Sequence, residues 1–347
     1  MRNRIIKRVL AWLFAVVMIA ACVAVCSVIC NHPSEETENT VASFYREPAG
    51  SLDAVMIGSS ACGKDFFPHV LWREEKITSY CMCVAACSGN IYSSVLTEVL
   101  SVQPQAVILV DADGFLVEDK YQTETDPIRI WLDSMPRNEN RLQTIRALTP
   151  DDLPERLFPF YRYHRYMNSL YAYIPVTVRL LEKKLHNVRD PMKGATLNPS
   201  PTNAALQTLD VSALQAQPLS AESERVFQAF LDCCKEKQLT NVVFVDLPKA
   251  YATDEQYERN LLYGARMQTI RTRAEAYGYA AVSYNALQNP AQLDVRTDYA
   301  DTLHLTTQGA QKFSAWFAAY LQEAYGFSEK DKALAAQWDA DTQGVLQ

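Results

Sequence analysis

The feature that most restricts the fold of this chain is an uncharged apolar stretch close to its N-terminus, at residues 9–30 (VLAWLFAVVMIAACVAVCSVIC). It follows a short basic segment, residues 1–8, whose cations are Arg2, Arg4, Lys7 and Arg8. At a rise of about 1.5 Å per residue, a helix of this length crosses a hydrocarbon core of about 30 Å. The stretch therefore predicts a transmembrane helix rather than another element of a water-soluble domain.

The cations in front of the apolar stretch predict its orientation. Basic residues that flank a transmembrane helix stay preferentially in the cytoplasm, so the chain from Asn31 onward is expected outside. Two other interpretations stay open. A cleaved signal peptide has a shorter apolar region, of only about 7–15 residues, and Ile19-Ala20-Ala21-Cys22 resembles a lipoprotein processing site. The longer stretch favours a single-pass anchor in contact with membrane lipid, and all three interpretations export the remaining domain.

Changes in composition divide the rest of the chain into further segments. Residues 31–43 are polar and turn-rich, and they are predicted to form a linker. A globular domain is predicted over residues 44–327. At about 121–220 it is interrupted by an aromatic and basic segment, which we interpret as an insertion. Residues 328–347 are polar and acidic and are predicted to be a C-terminal tail.

The pattern of apolar residues predicts an α/β domain with a central parallel sheet. The runs 106–110 and 242–245 are almost entirely apolar, which is typical of strands buried on both faces of a parallel sheet. Residues 54–57 and 280–284 are two further predicted strands. Helical periodicity separates these runs, for example over 254–277, and the alternation of strands and helices predicts a doubly wound sheet. Ligands of such sheets bind beyond the carboxyl ends of the strands.

Composition and charge argue against several classes of function. The 347 residues are 48% hydrophobic and 21% charged, as in an ordinary globular protein. The formal net charge is −7, whereas a general nucleic-acid-binding protein needs a basic face to neutralise phosphates. The sequence has no zinc-ligand spacing and no glycine-rich phosphate loop. It therefore predicts neither a nucleic-acid partner nor a metal centre.

The cysteines leave the redox state of the domain open. Three of the nine, Cys22, Cys26 and Cys30, lie in the apolar stretch. The others are Cys62, Cys81, Cys83, Cys87, Cys233 and Cys234. Outside a membrane these residues can form disulfides, and their spacing does not fix the pairing. Free thiols are an equally open prediction.

A first motif with chemical potential follows the first predicted strand, which ends in Gly58 before Ser59 and Ser60. A serine at the entry of a helix lies beside backbone N–H groups that can stabilise an oxyanion. Ser59 competes with Ser60 for the role of nucleophile, but Ser60 is better placed at the helix entry. For this motif alone, a simple loop with a helix cap is the favoured interpretation.

A second motif supplies the base that a serine nucleophile requires. Asp301 lies three residues before His304, in front of an amphipathic helix that Thr306 or Thr307 can cap. A carboxylate at this spacing can accept the Nδ1–H of the imidazole, which leaves Nε2 free to take a proton. Because one motif follows the first predicted strand and the other precedes the last predicted helix, both are expected at one edge of the sheet.

Together these motifs resemble those of the SGNH (GDSL-like) hydrolases. The matching segments are VMIGSS (55–60), CSGN (87–90), AVILVDADGF (106–115) and DTLHL (301–305). The chain looks most like the membrane-anchored branch, which includes the D-alanyl-transfer protein of teichoic-acid modification and the acetyltransferase proteins of exopolysaccharide export. The single-anchor layout and the aromatic insertion FPFYRYH (158–164) belong to this resemblance. It implies a three-layer α/β/α sandwich, similar to flavodoxin, with a central parallel sheet.

The resemblance also implies roles for individual residues. The nucleophile, the base and the orienting carboxylate fall on Ser60, His304 and Asp301. Gly89 becomes an oxyanion donor through its backbone N–H. The family's third block, Gly-x-Asn-Asp, supplies an asparagine, but this chain reads DADG at 111–114, and Asn90 is the predicted replacement. Loss of one oxyanion donor lowers the rate by about 10²–10³-fold.

The implied function is that of an exported, membrane-anchored serine esterase or O-acyltransferase. Its expected substrates are acyl esters of a cell-surface polysaccharide or another envelope polymer, and the scheme requires no metal or organic cofactor. Related systems pair such a protein with a multi-pass membrane acyltransferase, which is therefore an expected partner. Two alternatives stay open. One is a binding or assembly protein that has lost the oxyanion hole, and the other is an anchored protein whose insertion docks a partner.

Overall fold

The computed structural model describes residues 2–30, 38–152 and 170–346. In chain order, the α-helices α1 to α13 are Arg2–Cys30, Ser60–Asp65, Pro68–Glu75, Tyr92–Val102, Asp113–Leu116, Asp119–Gln122, Thr125–Ser134, Glu139–Leu148, Leu170–Leu185, Ala221–Glu236, Asp254–Ala276, Thr307–Tyr325 and Lys332–Leu346. The strands β1 to β7 are Ala54–Gly58, Ser79–Cys83, Val107–Asp111, Gln207–Thr208, Val242–Asp246, Ala250–Tyr251 and Ala280–Ser283.

Five of the strands form one central sheet. Their spatial order is β2, β1, β3, β5 and β7, and every neighbouring pair is parallel. In this register Gly58 lies opposite Cys83, and Asp111 lies opposite Val245. The carboxyl ends of the strands therefore meet at one edge of the sheet. The prediction of an α/β protein with a central parallel sheet is confirmed.

Strand β2 is the one member of this sheet that the apolar pattern does not predict. The other four strands begin and end within one residue of their predicted positions. The sequence of β2 is SYCMC, which contains no β-branched residue and so lacks the pattern that marks the other strands. All five of its residues are buried, so tertiary packing rather than intrinsic preference makes this segment a strand.

Successive side chains of a strand point to opposite faces of a sheet, and here they enter two separate hydrophobic clusters. In β1, Val55 and Ile57 belong to the cluster that includes side chains of α4 and α10. Ala54 and Met56 belong to the cluster that includes side chains of α3 and α12. Each fully buried aliphatic side chain contributes about 1.5–3 kcal/mol to folding. The sheet is therefore flanked by helices that bury its apolar residues.

Helix α1 contains the predicted apolar segment. Residues Arg4–Ser27 form a helix long and apolar enough to cross a membrane, with a mean hydropathy of 2.8, and none of its most apolar window is buried. Such a helix is either a membrane anchor or a signal sequence. The predicted N-terminal apolar helix is thus confirmed, while its topology stays a prediction. Most of the predicted linker, residues 31–37, lies outside the described residues.

The predicted insertion at 121–220 is partly described. It contains helices α7, α8 and α9 and the short strand β4. Strand β4 pairs antiparallel with β6, apart from the central sheet. The FPFYRYH segment lies within residues 153–169, outside the described residues.

The C-terminal segment 328–347 contains a helix that its polar composition does not predict. This helix, α13, buries Trp338 completely, and the ring of Trp338 lies 5.7 Å from that of Trp72 in α3. Nε1 of Trp72 donates a hydrogen bond to Oδ1 of Asp339 at 2.8 Å. The segment that reads as a tail is therefore packed against the domain.

Candidate active site

The turn between β1 and α2 presents Ser60 at the carboxyl edge of the sheet. Strand β1 ends at Gly58, Ser59 is the N-cap of α2 with an extended backbone, and Ser60 is the first helical residue. A Cβ atom at Gly58 would lie only 2.3 Å from the Cβ atom of Asp111 on the neighbouring strand. Glycine is required at this position because the end of β3 approaches it so closely.

Ser59, the competing candidate nucleophile, is hydrogen-bonded to Asp111. Its Oγ donates to Oδ2 of Asp111 at 2.8 Å, and its backbone N–H donates to the same oxygen at 3.1 Å. Burial raises the pKa of Asp111, and the hydrogen bonds from Ser59 oppose this shift. The Asp111 carboxyl group therefore stabilises the turn through Ser59. Neither of these hydrogen bonds involves the Ser60 hydroxyl group.

The side chains of Ser60, His304 and Asp301 form a continuous relay. Oγ of Ser60 lies 2.9 Å from Nε2 of His304, although the two residues are 244 positions apart in the chain. Nδ1 of His304 lies 2.7 Å from Oδ2 of Asp301. The carboxylate contact assigns the proton to Nδ1 and leaves Nε2 to accept the serine proton. The structure thus brings together the three side chains that the two motifs contribute.

Backbone hydrogen bonds hold the loop that carries His304. Oδ1 of Asp301 accepts the N–H of Leu303 at 2.8 Å and the N–H of His304 at 3.0 Å. Helix α12 begins three residues after His304, and the side chain of its N-cap, Thr306, accepts the N–H of Gly309 at 3.1 Å. The carboxylate therefore fixes the backbone of the loop with one oxygen and the imidazole ring with the other.

Asp301 is more accessible than the histidine that it orients. Its side chain is 53% exposed, compared with 19% for that of His304. Partial burial opposes ionisation of Asp301, but the hydrogen bonds from His304 and Leu303 outweigh it and lower the pKa of the carboxyl group. Asp301 is therefore ionised at neutral pH and can stabilise the imidazolium that forms when His304 takes a proton.

A buried carboxyl group, Asp65, joins the two halves of the relay, and the motifs do not predict it. Asp65 is the last residue of α2, and its Oδ1 accepts the N–H of Leu305 at 2.8 Å. Because α2 begins with Ser60 and Leu305 follows His304, this contact ties the serine helix to the histidine loop. Burial raises the pKa of Asp65 well above its usual range. The signal in the sequence is a single acidic residue directly before the apolar pair Phe66-Phe67.

Gly89, the predicted backbone donor to the oxyanion, lies on the segment that follows β2. This segment is attached to the nucleophile turn, because the N–H of Val84 donates to the carbonyl oxygen of Gly58 at 3.0 Å. Gly89 begins a single 3₁₀ turn, Gly89–Ile91. A Cβ atom at Gly89 would lie 2.4 Å from the ring of Phe115, so no side chain fits there.

The side-chain amide of Asn90 is already used by a backbone contact. Its Nδ2 donates to the carbonyl oxygen of Gln122 at 2.6 Å. Its Oδ1 is buried and has no hydrogen-bond partner among the described residues. Gln122 is held in turn, because its own Nε2 donates to the carbonyl oxygen of Gly114 at 2.7 Å. Asn90 therefore ties the Gly89 turn to the end of α6 in this structure.

The third block carries a buried ion cluster where the SGNH pattern has an asparagine. Nζ of Lys249 lies 2.7 Å from Oδ1 of Asp113 and 2.6 Å from Oδ1 of Asp246. Oδ2 of Asp246 accepts hydrogen bonds from Ser283 at 2.6 Å and from Asn285 at 3.1 Å. Burial raises the pKa of Asp113 to about 7, against the opposing effect of Lys249. The cluster connects the carboxyl ends of β3, β5 and β7.

Comparison with known proteins does not assign the chain to a family. No model of a known protein family matches the chain, and neither does any curated protein sequence. The resemblance to the SGNH hydrolases therefore stays a prediction that rests on the quoted motifs. The geometry itself is a serine, an imidazole and a carboxylate in one relay at the carboxyl edge of a parallel sheet. This arrangement can activate a hydroxyl group for attack on an acyl carbonyl.

Proposed function

We propose that this protein is a serine esterase or O-acyltransferase of the SGNH type, anchored by α1 with its domain on the extracytoplasmic side of the membrane. The observation that carries the proposal is the relay, with 2.9 Å from Ser60 Oγ to His304 Nε2 and 2.7 Å from His304 Nδ1 to Asp301 Oδ2. The parallel sheet with flanking helices supports a three-layer α/β/α sandwich as the fold. The length and hydropathy of α1 support the anchor.

In the proposed first half-reaction, Oγ of Ser60 attacks the carbonyl carbon of an acyl ester while Nε2 of His304 takes the hydroxyl proton. Asp301 stabilises the resulting imidazolium. Backbone N–H groups at the start of α2 and at Gly89 bind the tetrahedral oxyanion. The intermediate then releases the alcohol, which receives the proton from His304, and the acyl group stays on Ser60.

In the second half-reaction, His304 takes a proton from water or from a sugar hydroxyl, which attacks the acyl group on Ser60. Water gives ester hydrolysis, and a sugar hydroxyl gives acyl transfer. Exclusion of water from the closed site decides between the two outcomes. The proposed substrate is an O-acylated glycan or another acylated polymer of the cell envelope, and a multi-pass membrane acyltransferase is the proposed partner.

A fluorophosphonate probe tests the activated serine directly, because only an activated hydroxyl reacts with it. Full-length protein in detergent is expected to be labelled, and Ser60→Ala is expected to lose the label. Ser59→Ala is the matched variant one residue away and is expected to keep it, since the Ser59 hydroxyl group donates a hydrogen bond to Asp111 and not to His304. A folded wild-type protein that stays unlabelled, or a label lost in Ser59→Ala and retained in Ser60→Ala, contradicts the proposal.

A second candidate is a binding or assembly protein of the same fold that works beside a membrane acyltransferase. Two observations favour it. The amide of Asn90 is bonded to Gln122, and Asp113 is paired with Lys249, so neither side chain is free to act as a neutral donor to an oxyanion. This candidate predicts binding of acetylated glycan fragments without turnover and without fluorophosphonate labelling. Labelling at Ser60 together with hydrolysis of a chromogenic acetate therefore excludes it.

A further inference from the structure

Three cysteine thiols lie together beside the helix that begins with Ser60. The Sγ atoms of Cys62, Cys81 and Cys83 are all within 4.8 Å of one another, and all three residues are buried. Cys62 lies in the first turn of α2. Cys81 and Cys83 are alternate residues of β2 and therefore point to the same face of the sheet. The cluster thus lies at the contact between the nucleophile helix and β2.

The thiols of Cys62 and Cys83 lie closer together than two thiolates bound to one zinc ion do. Their Sγ atoms are 3.0 Å apart, so an approach of about 1 Å brings them to the disulfide bond length of about 2.05 Å. Thiolates around a tetrahedral zinc ion at about 2.3 Å lie about 3.8 Å from one another, which is wider than this pair. Cys81 has a different contact, since its thiol donates to the carbonyl oxygen of Phe66 at 3.3 Å.

The packing at this contact leaves little room for a side chain next to Cys62. A Cβ atom at Gly63 would lie 3.0 Å from Sγ of Cys83. Burial raises the pKa of both Cys62 and Cys83 well above the usual thiol value, so neither is a reactive thiolate in the folded domain. A disulfide between them would therefore have to form while the chain folds, before the two thiols are enclosed.

We propose that Cys62 and Cys83 form a disulfide in the exported protein and that Cys81 stays a free thiol. Each of the two thiols loses one proton, and together they pass two electrons to a disulfide oxidant, which is reduced to two thiols. Oxidants of this class act outside the cytoplasm. The inference rests on the extracytoplasmic location proposed above and is independent of whether Ser60 is catalytic. The bond fastens the first turn of the Ser60 helix to β2.

Peptide mapping of the full-length exported protein tests the bond. Free thiols are blocked with N-ethylmaleimide in denaturant, and the protein is digested with trypsin without reductant. Cys62 is the only cysteine of the tryptic peptide 47–64, whereas Cys81, Cys83 and Cys87 all lie in the peptide 77–120. The expected product is peptide 47–64 joined to peptide 77–120, with two blocked thiols on the latter. Dithiothreitol separates the two peptides.

Serine variants identify the bonded thiol. Cys83→Ser is expected to abolish the link, whereas Cys81→Ser and Cys87→Ser, the matched controls on the same peptide, are expected to keep it. A link that persists in Cys83→Ser, or one that is lost in Cys81→Ser, overturns the assignment. Reduction of wild-type protein is expected to lower Tm by about 5–10 °C, and Cys62→Ser is expected to show no such dependence on reductant.

Metal analysis of the same preparation separates the bond from a metal site. Close to one equivalent of zinc or copper, with all three cluster thiols blocked after denaturation, overturns the disulfide. An unlinked peptide 47–64 without bound metal overturns it as well. Fluorophosphonate labelling is read separately on the same sample, so failure of this inference and failure of the proposed function are distinguishable.

Discussion

The candidate site has two parts that use their polar side chains differently. The relay side is formed by Ser60, His304 and Asp301, and the oxyanion side is the segment around Gly89 and Asn90. On the relay side, Ser60, His304 and Asp301 contact one another at hydrogen-bond distances. On the side of the predicted oxyanion donors, the amide of Asn90 is bonded to a backbone carbonyl group, and Asp113, in the block where the SGNH pattern has an asparagine, is paired with Lys249. For the proposed reaction, the comparison indicates that side chains would supply the proton transfer, while stabilisation of an oxyanion would depend on backbone N–H groups.

Both sides nevertheless share one structural requirement. At Gly58 and at Gly89, a Cβ atom would clash with a neighbouring side chain at less than 2.5 Å. Backbone segments approach side chains of adjacent elements so closely at these points that only glycine fits. The positions of both the hydroxyl group and the backbone donors are therefore set by packing between elements.

Replacement of the base is expected to have the largest effect on the relay side. His304→Ala removes the proton acceptor of Ser60 and is expected to lower kcat/KM for a chromogenic acetate by about 10³-fold or more. His186→Ala, which changes an exposed histidine, is expected to leave the rate unchanged. Steady-state hydrolysis by full-length protein in detergent measures both. A decrease of less than about tenfold in His304→Ala would remove the relay from the mechanism.

Loss of the orienting charge is the next largest expected effect. Asp301→Asn keeps the shape of the side chain but no longer fixes the proton on Nδ1 of His304, so kcat/KM is expected to fall by about 10²–10⁴-fold. The same hydrolysis assay measures the change. A wild-type rate in Asp301→Asn would show that the backbone alone orients the imidazole.

Asp301 also links stability to pH, and the sign follows from its lowered pKa. The carboxyl group ionises more readily in the folded chain than at its ordinary pKa of about 4, so it stabilises the fold above that pH. This contribution disappears as the pH falls through the lower pKa of the folded state. The Tm difference between wild type and Asp301→Asn is therefore expected at pH 6 and is expected to shrink below about pH 4. A difference that is independent of pH would contradict this linkage.

Asp65 connects the Ser60 helix to the His304 loop, and its replacement is expected to have an intermediate effect on kcat/KM. Asp65→Ala leaves the buried N–H of Leu305 without an acceptor, which costs about 1–3 kcal/mol of stability. Displacement of the adjacent His304 is expected to lower kcat/KM by about 10–100-fold. Asp65→Asn keeps an acceptor oxygen and is expected to stay within about tenfold of wild type. Equal losses in the two variants would show that the contact to Leu305 does not position the base.

The raised pKa of Asp65 gives a further pH test with the opposite sign to that of Asp301. Because burial disfavours the ionised form, the folded state is weakened as the pH rises above the ordinary pKa of about 4. Asp65→Asn does not ionise, so its stability relative to wild type is expected to increase between pH 4 and pH 8. Chemical unfolding at both pH values measures this change, and a constant difference would contradict it.

The smallest effect is expected on the oxyanion side. Asn90→Ala removes an amide that is bonded to Gln122, so kcat/KM is expected to fall by less than about tenfold, compared with about 10²–10³-fold for a true oxyanion donor. The hydrolysis assay separates the two cases. A loss of 10²-fold or more in kcat with an unchanged KM would show that Asn90 turns toward the substrate.

The sequence predicts those parts of the fold that are marked by local patterns. The strands β1, β3, β5 and β7 are predicted from short apolar runs, and the cap of α12 from a threonine before an amphipathic stretch. Strand β2 and the buried Trp338 are not predicted, because their burial depends on partners far away in the chain. Local composition carries no information about those partners.

The same distinction applies to the candidate site. Ser60, His304 and Asp301 are identifiable because their residue types and spacings match a known chemistry. Asp65 and Lys249 are not, because their roles arise only from contacts made in the folded chain. Asp65 accepts a hydrogen bond from a residue 240 positions away, and Lys249 pairs with carboxylates at the ends of β3 and β5. Asn90 is the opposite case. Its residue type and its position next to Gly89 suit an oxyanion donor, but its amide is bonded to a backbone carbonyl group instead.

The distance along the chain between Ser60 and His304 has a consequence for newly made protein. Ribosomes release a chain from its N-terminus at about 5–20 residues per second, so the hydroxyl group leaves the ribosome well before the imidazole is synthesised. A nascent chain shorter than 304 residues carries the proposed nucleophile but not its base. By the time the imidazole is added, α1 has long been available for targeting to the membrane. Under the proposed mechanism, an incomplete chain therefore lacks the base that activates Ser60.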